Sequence, residues 1–471
     1  MAVSFAGHPL FGRGFDAPGR FEADVFDCEV EGELPADLSG GFYRLQCDFA
    51  YPPPHNEWRT GFNGDGHVSL FRFTEGRVHY RGRYVKTERL MAERAAGRRL
   101  FGVYRNRLTD DPAVNALNRS AANTNLAWHA GRLLVLKEDA LPYRIDPLTL
   151  DTLGAWDFEG ALTSETFSAH PKIDPVSGEM IAYGYQARGD LSADVAFYVM
   201  APDGRIEREL WLKAPYAGIM HDIALTREHI LLPVIPMVAS EARLKAGEPM
   251  WDWDPTYPTM VGVIPRDGEA EDLRWFEGPP RMTLHFLNAE TRGQEIRMEL
   301  PVSDGPGAPS EIRRWRFDLS SGETRFGEER VAAANSPLAR IDDRFVSLPN
   351  RYVFAGHRDG ARPATEGARG ANCYQRIDLH SGEVRTFWAG ESLTLQECCF
   401  APRPGGVEAE GWLLGVASNH AEMASELVVV DAQAPEAGAV ARVKLPFRLR
   451  SGTHGLWIGE AELPPRAMIA T

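Results

Sequence analysis

The segments Ile145-Asp146-Pro147-Leu148-Thr149 and Ile173-Asp174-Pro175-Val176-Ser177-Gly178 share one pattern: an apolar residue, an aspartate, then a turn of Pro, Ser, Thr or Gly. The pattern returns in looser form in Met200-Ala201-Pro202-Asp203-Gly204, Phe317-Asp318-Leu319-Ser320-Ser321-Gly322 and Ile377-Asp378-Leu379-His380-Ser381-Gly382. Aspartate bonds well to turn backbone and glycine tolerates left-handed backbone, so each segment, flanked by strand-like residues, reads as a hairpin. Similar hairpins at unequal intervals suit propeller blades carrying insertions. The repeat by itself is equally compatible with a large β-sandwich.

Around these turns, β-rich runs recur at 133–136, 180–185, 195–200, 230–234 and 426–430, while long amphipathic helical patterns are scarce. The chain is therefore expected to be all-β. Helix signals are local: Asp111 caps a short helix that starts at Pro112 and runs to about residue 122, and a second helix covers 239–246. Residues 247–265, with Trp251, Trp253, Tyr257 and several prolines, read as a long ordered loop over one face, and 304–309 as a flexible Gly/Pro-rich tip. At 471 residues a simple length prior gives about three domains, but a propeller adds blades without starting a new core.

Composition narrows the function. Hydrophobic content of 44% and charged content of 25% exclude a disordered chain. A net charge of −15 argues against nucleic acid and against docking on anionic lipid. No run approaches the roughly 18 apolar residues that cross a bilayer, and no basic segment followed by an apolar one marks a signal peptide. The five cysteines are odd in number, two are adjacent (Cys398 and Cys399), and none forms a zinc-type cluster, which suits a reducing cytoplasm.

Of 13 histidines, His8 and His55 lie in Pro-rich loops, and His79, His229 and His380 among polar neighbours. Four others sit at the edges of apolar or Gly-containing turns: His170 in Phe-Ser-Ala-His-Pro, His221 in Gly-Ile-Met-His-Asp, His285 in Thr-Leu-His-Phe-Leu and His454 in Gly-Thr-His-Gly-Leu. Singly, each suits a structural role. Together, a radial fold could aim one from each of four blades at its axis, where imidazole suits iron, copper, nickel or zinc.

The signatures Phe62-Asn63-Gly64-Asp65-Gly66, Asn123-Thr124-Asn125, Lys137-Glu138-Asp139, Phe167-Ser168-Ala169-His170-Pro171-Lys172-Ile173-Asp174, Met220-His221-Asp222, Gln396-Glu397 and Ser451-Gly452-Thr453-His454-Gly455 occur in this order. As a set they resemble the carotenoid cleavage oxygenases, most closely the bacterial stilbene-cleaving branch, the lignostilbene dioxygenases. The resemblance runs from roughly Asp24 to Ile458. It implies a seven-bladed β-propeller, one domain over 1–471, with a loop and helix dome (insertions at about 85–125 and 238–265) over an axial metal. It makes His170, His221, His285 and His454 the ligands of one Fe²⁺. Four neutral imidazoles would leave the metal its full charge and open positions for O₂, while Glu138 and Glu397 match carboxylates that orient ligand rings.

The same resemblance singles out Tyr104 and Lys137 as the pair that holds the para-hydroxyl of a stilbene. Lys137 beside a dication could share the phenolic proton, and phenolate character would push electrons towards the alkene. Carotenoids carry no such phenol and would leave both polar groups unpaired. Phe62 is expected to wall the substrate ring, and Thr124 to crowd a coordination position of the iron. Lys137 and Glu138, adjacent on an expected strand, would point in opposite directions. The expected activity is cleavage of the central double bond of 4-hydroxystilbenes by O₂, giving two aromatic aldehydes. Apocarotenoid cleavage is the second enzyme reading, and a metal-free propeller scaffold the reading from another class. A homodimer stays open.

One departure stands out. The family usually places a third glutamate shortly before a Pro-Arg-Ile/Val-Asp-like stretch, where it holds the third ligand histidine. Here the stretch is Asn335-Ser336-Pro337-Leu338-Ala339-Arg340-Ile341-Asp342, which puts Pro337 at that position. A buried His285 still needs an acceptor for its free ring N–H, so a backbone carbonyl or a water is expected there, with Ser336 as an alternative.

Overall fold

The β-branched and aromatic runs pair into seven sheets of three to six strands. The computed structural model describes residues 3–5, 8, 11, 14–54 and 62–465. The sheets form a seven-bladed β-propeller, and neighbouring strands within each blade run antiparallel. Two pairings close the ring. Gly40–Asp48 pairs with Gly452–Gly459, so one blade combines strands from both ends of the chain. In a second blade, Val30–Gly32 pairs with Ala439–Lys444. A closed ring leaves no open edge between its first and last blades.

The hairpin reading of the aspartate turns holds. Asp146 Oδ1 accepts from the amides of Leu148 and Thr149 at 2.9 and 2.7 Å. Asp174 does the same for Val176 and Ser177, and Asp378 for His380 and Ser381. These side chains satisfy backbone donors that a tight turn would otherwise expose.

The helices differ from expectation. The longest among the described residues, α1 (Glu88–Ala96), follows the strand Arg77–Tyr84; Thr87 Oγ1 caps it by accepting from Leu90 N, and Gly97 ends it at φ 66°. The helix expected from Pro112 is only a 3₁₀ turn, Pro112–Val114. Asn118 and Ser120 end that pattern by bonding to backbone amides two residues on, an alternative to helical pairing. The second expected helix is α2 (Glu241–Lys245), capped by Ser240. Residues 247–265 are not a loop throughout: Trp251–Trp253 and Thr259–Pro265 are strands paired with His229–Ala239. Among the described residues, no helix is long and apolar enough to cross a membrane.

Asparagines lash these segments to the propeller. Asn106 Nδ2 donates to the carbonyls of Leu244 and Glu248, joining the segment after α1 to the one around α2. Asn63 donates to Gly102 O at 2.8 Å, and Asn123 donates to Phe62 O and Gly64 O. Gly66 completes the seam: its amide donates to Ala121 O, and a Cβ at Gly66 would lie 1.7 Å from Ala122 O. Gly66→Ala is expected to destabilise the protein by about 1–3 kcal/mol, as overpacking typically does. A melting curve should show it, whereas Gly360→Ala, where a Cβ meets nothing within 4 Å, should melt like the wild type.

Candidate metal centre

Four chain segments bring their histidines to one point. His170 and His285 precede the short strand Lys172–Ile173 and the strand Asn288–Arg292, His221 follows Gly218–Ile219, and His454 lies within Gly452–Gly459. These strands belong to four different blades. Local bonds shape each approach. Ser168 Oγ accepts from His170 N at 2.9 Å, and the Tyr183 hydroxyl donates to Met220 O beside His221. Asp222, next to His221, accepts from Phe286 N, next to His285, at 2.9 Å, so one carboxylate fastens two of the segments together. Lys172 Nζ lies 2.7 Å from the other oxygen of Asp222.

The ligating atoms of His170, His221, His285 and His454 all lie within 4.8 Å of one another. The Nε2 atoms of His170 and His221 are 3.0 Å apart. Ring centroids of the described pairs are separated by 4.5 to 5.1 Å. Burial first, and then the neighbouring imidazoles, hold His170 and His285 well below the usual histidine range, so both rings are neutral at pH 7.

Each ring is held from its far side. His221 Nδ1 pairs with Glu138 Oε2, and His454 Nδ1 lies 2.9 Å from Glu397 Oε1. His170 Nδ1 sits 3.3 Å from the side-chain amide of Asn125. His285 Nδ1 donates to the backbone carbonyl of Pro337 at 2.8 Å, the acceptor expected where a glutamate is missing. No carboxylate hydrogen-bonds this ring among the described residues. Burial works against ionisation of Glu138, but His221, Arg105 and Lys137 bring its carboxyl down to about 2. Glu397 is likewise lowered against burial, by His454 and Arg340.

These contacts fit a metal ion. Every Nδ1 is engaged, one ring nitrogen from each histidine lies within 4.8 Å of the others, and His285 Nε2 is buried with no hydrogen-bond partner. An orphaned acceptor in a dry setting is costly unless a cation takes its lone pair. The chemistry of four imidazoles, two of them backed by carboxylates, suits a transition-metal ion.

Lys137 and Tyr104 also meet. Lys137 is 3% exposed, and its Nζ stands 4.4 Å from the centroid of the half-buried Tyr104 ring. Burial, then the charge of Glu138, pushes the Tyr104 hydroxyl well above its usual range, so it remains a donor. The strand reading of Lys137-Glu138 is corrected: the strand Arg132–Leu136 ends one residue earlier, and Glu138 and Asp139 form a turn. The turn separates the two side chains as alternation would have, Lys137 to Tyr104 and Glu138 to His221. Thr124 is half-buried, its Oγ1 donating to Asn123 Oδ1 at 3.2 Å. Phe62 is 55% exposed. His55 lies outside the described residues, and His79, His229 and His380 stay out of the cluster.

Two arginines escaped the sequence reading. Arg105 NH1 stands 3.8 Å from Glu138 Oε1, and its guanidinium lies over the rings of Tyr185 and Trp251. Arg340 NH1 stands 3.4 Å from Glu397 Oε2. Nothing local in the sequence pairs either arginine with its glutamate. A cavity of about 340 Å³ is lined by His170, His285 and His454 and by residues that follow them; neither Tyr104 nor Lys137 lines it.

A family model described as retinal pigment epithelial membrane protein (RPE65) matches residues 16–459. The chain belongs to this carotenoid oxygenase family. Isoeugenol monooxygenase from Pseudomonas nitroreducens is 38% identical over 461 residues, covering 94% of this chain and 96% of the relative. Resveratrol cleavage oxygenase 1 from Aspergillus fumigatus is 39% identical over 489 residues, covering 97% of each. Among solved structures, the crystal structure of Pseudomonas brassicacearum lignostilbene dioxygenase superposes with a TM-score of 0.93 at 38% identity, over 97% of this chain and all of the other. In a chain of this family the four-histidine cluster is a candidate metal centre. Replacing any one of the four histidines by Ala is expected to reduce bound metal, as read by elemental analysis. Glu138→Gln should weaken metal binding about 10- to 100-fold, the usual cost of losing a partner that orients a ligand; unchanged affinity would detach Glu138 from the centre.

Proposed function

We propose that the protein is a non-haem Fe²⁺ dioxygenase that cleaves the central C=C bond of 4-hydroxystilbenes. The observation that carries this reading is the buried Lys137–Tyr104 pair, one residue along the chain from the glutamate that holds His221. A buried ammonium and a phenol that stays protonated form a two-donor seat for an oxygen with negative charge. A substrate para-hydroxyl fits that seat. Lys137 Nζ shares its proton, Tyr104 donates to it, and the resulting phenolate character raises electron density on the conjugated alkene. When bound, Fe²⁺ supplies the redox chemistry that lets O₂ react at that alkene. The reaction balances as one alkene plus one O₂ giving two aldehydes, with the C=C bond broken and one oxygen atom in each product. Glu138 and Glu397 keep the rings of His221 and His454 turned towards the centre. Thr124 would lie beside the bound ion, and Phe62 would wall the substrate ring.

A second reading keeps the same seat and shortens the substrate to a 4-hydroxyphenylpropene, which the name of the isoeugenol monooxygenase relative favours. Apocarotenoids fit less well, because an all-hydrocarbon segment would bury Lys137 against nothing polar. The test compares a 4-hydroxystilbene, its 4-methoxy analogue, a 4-hydroxyphenylpropene and an apocarotenoid on Fe²⁺-loaded protein. The free phenols should be cleaved and the methyl ether cleaved orders of magnitude more slowly. Lys137→Met should cut phenol turnover by a similar factor with iron content unchanged. Equal rates on the phenol and its ether would remove the Lys137–Tyr104 seat from the reading.

A further inference from the structure

The segment from Pro337 to Arg340 bears on two of the four histidines, one directly and one through Glu397. At one end, the Pro337 carbonyl accepts from His285 Nδ1 at 2.8 Å. Three residues on, Arg340 NH1 lies 3.4 Å from Glu397 Oε2 and 3.2 Å from Gly455 O, and its NH2 donates to Asp343 Oδ2 at 3.1 Å. Glu397 in turn holds His454 Nδ1 with Oε1 and accepts from Gly455 N with Oε2. The Arg340 backbone is pinned to Phe354 by two bonds of 2.7 Å, N to O in each direction. From Pro337 to Arg340 the chain is therefore a strap, anchored at Arg340, whose near end is the acceptor for His285.

The means matter because a carboxylate and a peptide carbonyl differ in freedom. A glutamate side chain has rotatable bonds and can follow an imidazole that shifts. A proline carbonyl is set by the main chain and goes only where the strap goes. Orientation of His285 thus depends on where the strap is held, and Arg340 is the side chain that holds it against the ligand shell. Arg105 has no such reach: it approaches Glu138 at 3.8 Å and through it bears on His221 alone.

We propose that Arg340 is a positioning residue for two ligands at once, His454 through Glu397 and His285 through the main chain. This rests on the four-histidine cluster being a metal site, and the experiment separates the two ideas. Metal-free protein is titrated with Co²⁺ in competition with a chromophoric chelator, and the visible absorption of the bound Co²⁺ is recorded as a measure of ligand geometry. Wild type that takes up no Co²⁺ overturns the metal site itself.

If wild type binds, Arg340→Met is expected to weaken Co²⁺ about 10- to 100-fold and to alter the absorption bands, with the metal-free protein still folded and melting cooperatively. Arg340→Lys, which keeps the charge without the fork, should recover part of the affinity, and it serves as the test variant if Arg340→Met does not fold. Wild-type affinity and bands in the folded variant overturn the proposal. The two arms are resolved on a Glu397→Gln background. Arg340→Met should there cost a further loss, carried by His285; no further loss overturns the main-chain arm.

Discussion

Four imidazoles whose candidate ligand atoms lie within 4.8 Å of one another crowd their polar edges together unless a cation lies between them, and they point together only because each is tied at the back. That tie, an acceptor or amide at every Nδ1, is the constraint on which the rest of the structure depends. Four blades must end at the same height, and the bonds that hold the rings must come from chain segments far apart in sequence. Glu138 reaches His221 across 83 positions and Glu397 reaches His454 across 57. The propeller is a frame for meeting these long-range demands, since its blades radiate from a common axis and each can lend one inner strand.

The ties are unequal. Two rings are held by ionised carboxylates, one lies against an amide and one against a main-chain carbonyl. A carboxylate makes its imidazole a stronger donor to a metal than a neutral acceptor does, so the set is electronically lopsided. Each of the two carboxylates also faces an arginine, Arg105 at Glu138 and Arg340 at Glu397, so its charge is shared between a ring and a guanidinium. The Asp222 bridge between the segments of His221 and His285 adds a further tie that holds those two rings in register.

Much of this was legible in the sequence, for a definite reason. The aspartate turns are local devices, with donors and acceptor within three residues, and they fold as the residues suggest. The ligands and their glutamates are visible only through resemblance, because no short-range pattern joins residues so far apart. Where local reading went astray, competing local bonds were responsible. Asn118 and Ser120 turned an expected helix into a single turn, and a strand ended before Lys137 rather than after Glu138. The helix Glu88–Ala96 carried its signals, a Thr87 cap and a Gly97 stop, without a strong apolar stripe to announce them. Arg340 was invisible as a partner, since its role comes from a strap that exists only once the blades have assembled.

The ring closes by pairing Gly40–Asp48 with Gly452–Gly459, and the closing strand carries His454. The last piece of the propeller to be synthesised is thus also the last corner of the cluster. While the chain is still being made, three imidazoles at most can gather, and the fourth arrives only when the final strand finds its place beside one of the first. A complete four-ring cluster is in this way a mark of a finished propeller: a chain cut short before residue 454 lacks one of its two closing pairings and a quarter of its cluster.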